Sequence, residues 1–148
     1  MNASDIKLIR GSFAHVVPIA DTAADLFYNR LFELDPDLQP MFHSDLERQG
    51  RLLMKMIGTA VDHLDDLAML VPLVQKLGER HQTYGVEPTH YETVGSALIW
   101  TLEQGLGEHC TPEVKQAWEN AYGLLSGVMQ EAAGYADEGL AEPAAMRA

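Results

Sequence analysis

The chain has 148 residues, with 22 acidic side chains against 10 basic ones, a formal net charge of −12 and one cysteine, Cys110. That length supports one domain with a substantial core and leaves no room for a second catalytic domain of ordinary size. The negative charge repels phosphate backbones and anionic bilayer surfaces, so neither nucleic acid nor a membrane is expected as a partner. One cysteine excludes an internal disulfide, a thiolate metal cluster and covalent cofactor attachment through C-x-x-C-H. No basic stretch followed by an apolar run opens the chain and no apolar run reaches membrane-spanning length, which predicts a cytoplasmic protein.

Ser4 is read as the N-cap of a first helix whose Ile6, Ile9, Phe13 and Val16 share a face, with Pro18 breaking it. A second helix from about Asp21 turns Ala24, Phe27, Tyr28 and Leu31 inward, which puts the Tyr28 ring on the core side, and Asp35-Pro36 ends it. The segment from Pro36 to Phe42 is a short apolar connector in which Pro40 limits hydrogen bonding. Ser44 or Asp45 caps a third helix with Leu46, Gln49, Leu53, Met56 or Ile57, Ala60 and Leu64 on its inner face. The fourth carries Leu67, Leu70, Val74, Leu77 and His81, and ends at His81. Gly85 and Pro88 form the loop before a fifth helix with Tyr91, Val94, Leu98 and Leu102 on one face. Thr111-Pro112-Glu113 starts the sixth, which buries Val114, Ala117, Ala121, Leu124 and Val128. Nothing alternates with period two for long enough to suggest a sheet, so the fold class is all-α, with one domain over residues 1–134 and a flexible tail over 135–148.

His81 stands where the fourth stripe calls for another leucine, and Tyr28 and Gln49 also take inward positions. Three polar groups in a core need partners, and a buried metal or cofactor would provide them. A lone histidine on an apolar face is more often a satisfied core residue, so His81 alone decides nothing. Zinc-site spacing is missing, because His63 and His90 fall in other segments. A cofactor needing a single protein ligand fits better, and haem on a proximal histidine is the commonest example in an all-α chain of this size. The rival is an acidic helical interaction module whose core polar groups bond to one another.

Four stretches sharpen this: L-F-Y-N-R-L-F from Leu26 to Phe32, D-P-D-L-Q-P-M-F ending at Phe42, R-H-Q-T-Y-G-V-E-P-T-H-Y-E-T-V-G from Arg80 to Gly95, and A-W-E-N-A-Y-G from Ala117 to Gly123. In order and spacing they resemble the single-domain bacterial haemoglobins and the globin domain of flavohaemoglobins, over roughly Ile6 to Met129. The resemblance implies a globin fold around non-covalent haem b, with His81 as the proximal iron ligand and Phe42 packed on the haem face. It makes Tyr28 and Gln49 the distal hydrogen-bond donors to a bound gas, Leu53 an apolar wall beside them, and Tyr91 the tyrosine that supports the proximal side. The glutamate that accompanies this tyrosine in flavohaemoglobins falls at Ala133, with Glu131 on another side of the helix, so the proximal support is incomplete.

The implied function is reversible binding of dioxygen, and of nitric oxide and carbon monoxide, at the haem iron. Oxidation of nitric oxide to nitrate is the implied enzymatic activity, and it requires an external reductase because the sequence has no flavin or nicotinamide domain. A gas or redox sensor acting through a partner is the alternative. His43 and Arg80 are candidates for the haem propionates, and His15, His63, His90 and His109 are expected at the surface.

Overall fold

The computed structural model describes residues 2–41, 45–83 and 87–132, with the backbone alone at 41 and 81–83. Among the described residues six α-helices follow one another: α1 (Ala3–Val16), α2 (Ala20–Leu34), α3 (Leu46–Asp62), α4 (Leu67–Thr83), α5 (Pro88–Leu106) and α6 (Pro112–Ala132). Short 3-10 turns at Val17–Ile19, Pro36–Met41 and Gly107–His109 bend the chain where proline or glycine interrupts the ladder. Among the described residues there is no strand, so the chain is all-α as its periodicity predicts.

Local chemistry explains the boundaries. Asn2, not Ser4, caps α1, because the Asn2 side chain accepts the Asp5 N–H at 2.9 Å while Ser4 lies inside the first turn. Of the two candidates for α3, Asp45 is a cap, accepting the Glu47 N–H at 3.0 Å. Glu87 and His90 form a capping box at α5 with Pro88 at its start, and Thr111 Oγ1 accepts the Val114 N–H at 3.2 Å on α6. The end of α4 departs from the sequence reading: the helix continues past His81 to Thr83, since neither Gln82 nor Thr83 breaks a helix. The tail expected over 135–148 lies outside the described residues.

Most of each apolar stripe finds a partner, with α4 along α6, α5 along α2, α1 on α6, and α3 on α2 and α1. Leu46, Leu67 and Leu124, expected on inner faces, lie near the stripe ends or edges and are exposed. The main core gathers Ile9, Leu70, Ala117 and Trp118 around the α1, α4 and α6 contacts, and a second cluster gathers Phe27, Tyr28, Leu31, Leu38 and Ala97 between α2 and α5. Ile9, Leu31 and Leu70 are fully buried, each contributing about 1.5–3 kcal/mol relative to exposure. Two polar devices lock the frame. Trp118 donates its indole N–H to Ser12 Oγ at 2.8 Å inside the core. Arg10 of α1 donates to the Val61 and Asp62 carbonyls at the end of α3, at 3.2 and 3.0 Å, and pairs with Asp65 at 3.0 Å. That pairing holds the Asp65 carboxyl below the usual carboxylate range. The consecutive helices α3 and α4 take different packing partners, and the candidate site residues among those described fall on these two helices, on α2 and on α5.

Candidate functional site

Tyr28 is the anchor. Its position on the inner face of α2 leaves it 6 % exposed in the second cluster, with the Phe27 ring edge-on at 5.2 Å and the Phe32 ring stacked at 6.1 Å. Burial pushes its phenol up to about 12, so at neutral pH it is a fixed, uncharged hydrogen-bond donor. Opposite it, α3 comes close. A Cβ on Gly50 would meet Ala24 Cβ at 2.9 Å and Tyr28 Cε2 at 4.0 Å, so only glycine admits this approach of α3 to α2. The next residue back is Gln49, half-buried rather than fully inward, and Leu53 one turn on packs against the Tyr28 cluster. The sequence reading found Tyr28, Gln49 and Leu53 but not Gly50, whose signal was an isolated glycine inside a helical pattern.

Behind Leu53 lies an apolar cavity of about 20 Å³, bounded also by Phe27, Ile57, Leu98 and Trp118. It is far too small for a porphyrin. Among the described residues its lining is almost wholly apolar, so it has little to hold a water and offers room for an uncharged diatomic molecule.

Tyr91 is buried at the start of α5, and the structure supplies a neighbour that the sequence reading overlooked. Tyr122 of α6 donates its hydroxyl to the Tyr91 carbonyl at 2.6 Å, tying the two helices together; burial, then the nearby Tyr91, pushes the Tyr122 phenol up. Tyr122 stood in a quoted motif without a role. Glu131 is exposed on the last turn of α6 and Ala133 lies outside the described residues. His81 belongs to α4, but its side chain lies outside the described residues, as do Phe42 and His43. Arg80, its neighbour, is exposed.

Whether these residues suit a large apolar cofactor is tested by what α3 and α4 leave uncovered. Leu52 and Met56 of α3 are 46 % and 43 % exposed and follow Gln49 on the same flank of that helix. Leu73 of α4 is 47 % exposed, one turn before Leu77. Leu46 of α3 and Leu67 and Met69 of α4 are exposed as well, so these two helices carry more apolar surface than scattered single leucines. A flat apolar ring held against α3 and α4 would cover this surface. The residues fit a haem.

A family model for globins matches residues 25–129. The chain belongs to the globin family. It is 30% identical to the flavohemoprotein of Bacillus subtilis (strain 168) over 82% of this chain and 31% of that protein. With the flavohemoprotein of Rhodopirellula baltica the identity is 29% over 86% of this chain and 32% of the other. The neuroglobin of Tetraodon nigroviridis is 32% identical over 94% of this chain and 95% of that one. This globin therefore spans about a third of the flavohemoproteins it matches and nearly the whole of that neuroglobin. Haem-based binding of diatomic gases comes with the family.

The remaining histidines are outside this site. His15 and His109 are exposed and stack on each other at 4.4 Å. His63 and His90 are half-buried rather than free on the surface: His63 Nδ1 lies 2.8 Å from the Thr59 carbonyl at the end of α3, and His90 closes the α5 capping box. No helix among the described residues is long and apolar enough to cross a membrane.

Proposed function

We propose that this globin holds haem b between α3 and α4 on His81, binds dioxygen reversibly beside Tyr28 and Gln49, and oxidises nitric oxide to nitrate when electrons are supplied. The buried, uncharged Tyr28 phenol carries this reading, since it sits with Phe27, Leu31 and Leu53 beside the close contact of α2 and α3 at Gly50. Bound haem would supply a redox-active iron with one coordination position open to gas. With that group bound, Tyr28 Oη and the Gln49 amide would donate to a partly negative diatomic ligand, and Leu53 would narrow the path to them. In this reading Phe42 would pack against the ring, Tyr91 would steady the proximal side, and the cavity lined by Leu53 would offer room for a second diatomic molecule.

Nitric oxide, dioxygen and one electron balance to nitrate, so each turnover consumes an electron. We assign it to a reductase outside the globin domain, in keeping with the part of the flavohemoproteins that this chain matches. Acidic charge and a single cysteine support a cytoplasmic setting. Absorbance of the ferric, ferrous and oxygenated forms tests cofactor and coordination together. A Soret band that His81→Ala abolishes or shifts to a ligand-free form is the expected result; an unchanged spectrum in that variant would refute the proximal assignment. Nitric oxide consumed catalytically with a reductase supplied is expected, and a single stoichiometric burst would leave gas binding alone.

A further inference from the structure

Gly78 is buried on α4, one helical turn before His81. A Cβ at this position would lie 2.3 Å from the Met129 carbonyl oxygen, 2.6 Å from its Cα and 2.8 Å from its carbonyl carbon. All three are backbone atoms of α6. At Gly95, by contrast, the atoms a Cβ would meet belong to the Tyr122 side chain. A ring can rotate, whereas a helix backbone can only move as a body. Carbon and oxygen approach comfortably to about 3.3 Å, so a methyl group here would force α4 and α6 apart by roughly 1 Å. α6 is the principal packing partner of α4, and a helix is stiff over one turn.

We propose that Gly78 is a positioning residue: its bare backbone rests on the backbone of Met129, and this hard stop sets where α4 carries His81 relative to the haem. The inference rests on the reading of His81 as the iron ligand. The side chains around it on α4, Val74 and Leu77, are deformable and adjust by changing rotamer, but the glycine contact has no such freedom. The distance between α4 and α6 is therefore fixed one helical turn before the ligand.

The experiment is resonance Raman spectroscopy of the iron–imidazole stretch in the ferrous, gas-free holoprotein. Gly78→Ala is expected to move that band to lower frequency, because a displaced α4 strains the bond, while Gly127→Ala on α6, where a Cβ meets nothing within 4 Å, is expected to leave it in place. The decisive arm detaches the ligand from the helix. In His81→Gly supplied with imidazole, adding Gly78→Ala is expected to produce no further movement, because the ligand no longer rides on α4. An unmoved band in Gly78→Ala overturns the proposal, and so does a shift that persists with free imidazole, which would mean that Gly78 acts on the pocket at large. If His81→Gly without imidazole keeps the wild-type band, it is the ligand reading that fails, a separate outcome. Should Gly78→Ala not fold, Val74→Ala serves, since it trims a side chain and leaves the backbone stop intact. There a lower thermal midpoint with an unmoved band supports the proposal, and a moved band overturns it.

Discussion

A phenol in an apolar shell has two consequences that differ in sign. Towards a gas bound as proposed, Tyr28 would act as a donor at any ordinary pH, because its proton stays on until about pH 12. A hydrogen bond to a partly charged acceptor is worth about 1.5–3 kcal/mol, so Tyr28→Phe should speed oxygen dissociation by about tenfold or more. Stopped-flow release of oxygen measures this directly, and an unchanged rate would place the phenol away from the bound gas. Gln49→Leu should give a smaller increase, since its half-buried amide keeps water as a competing partner. Tyr28 was legible in the sequence because it lies in phase with Ala24, Phe27 and Leu31 on a helix of plain periodicity. Gln49 was legible only as a polar interruption. How far inward it turns depends on Gly50, whose contact with Ala24 joins two helices and leaves no mark within either one.

Within the helical frame, a buried polar link joins α1 and α6. Ser12 Oγ accepts the Trp118 indole N–H at 2.8 Å and itself donates to the Leu8 or Ile9 carbonyl, at 2.8 and 3.0 Å. Ser12→Ala removes the acceptor and leaves the indole N–H buried, at a cost of about 1–3 kcal/mol. A fall in thermal midpoint of roughly 2–10 °C is expected for a domain of this size, and a scanning calorimetry trace unchanged from wild type would mean that water replaces the hydroxyl. Trp118→Phe should cost less through this bond, since it removes donor and demand together, and more through lost packing against Phe13. The order of helices, Pro36 and Pro88 as punctuation and Thr111 as a cap all follow from local rules, and the structure keeps them. The cap of α1 moved to Asn2 because Asn2 and Ser4 have similar intrinsic aptitude, and only the backbone decides which of them reaches a free N–H. Contacts between helices, such as Ser12 with Trp118 or Gly78 with Met129, bring together residues distant in sequence, and a single sequence holds no local signal for them.

For the molecule as a whole, the two buried phenols link folding to alkaline pH. Tyr28 and Tyr122 both sit above the ordinary tyrosine value of 10.0 in the folded protein because burial disfavours their charged forms. Above that value the unfolded chain releases these protons while the folded chain keeps them, so the unfolded state binds fewer protons and stability falls as pH rises. Stability present below pH 10 should therefore be lost towards pH 12, by up to about 1.4 kcal/mol per pH unit for each tyrosine. The net charge of −12 pushes the same way, since self-repulsion grows with every proton lost, but salt screens that part and leaves the buried pair largely untouched. Urea titrations at pH 8, 10 and 11, each at low and high salt, separate the two contributions. A pH slope that survives high salt and weakens in Tyr122→Phe assigns the loss to the buried phenols, whereas a slope that salt abolishes assigns it to net charge alone.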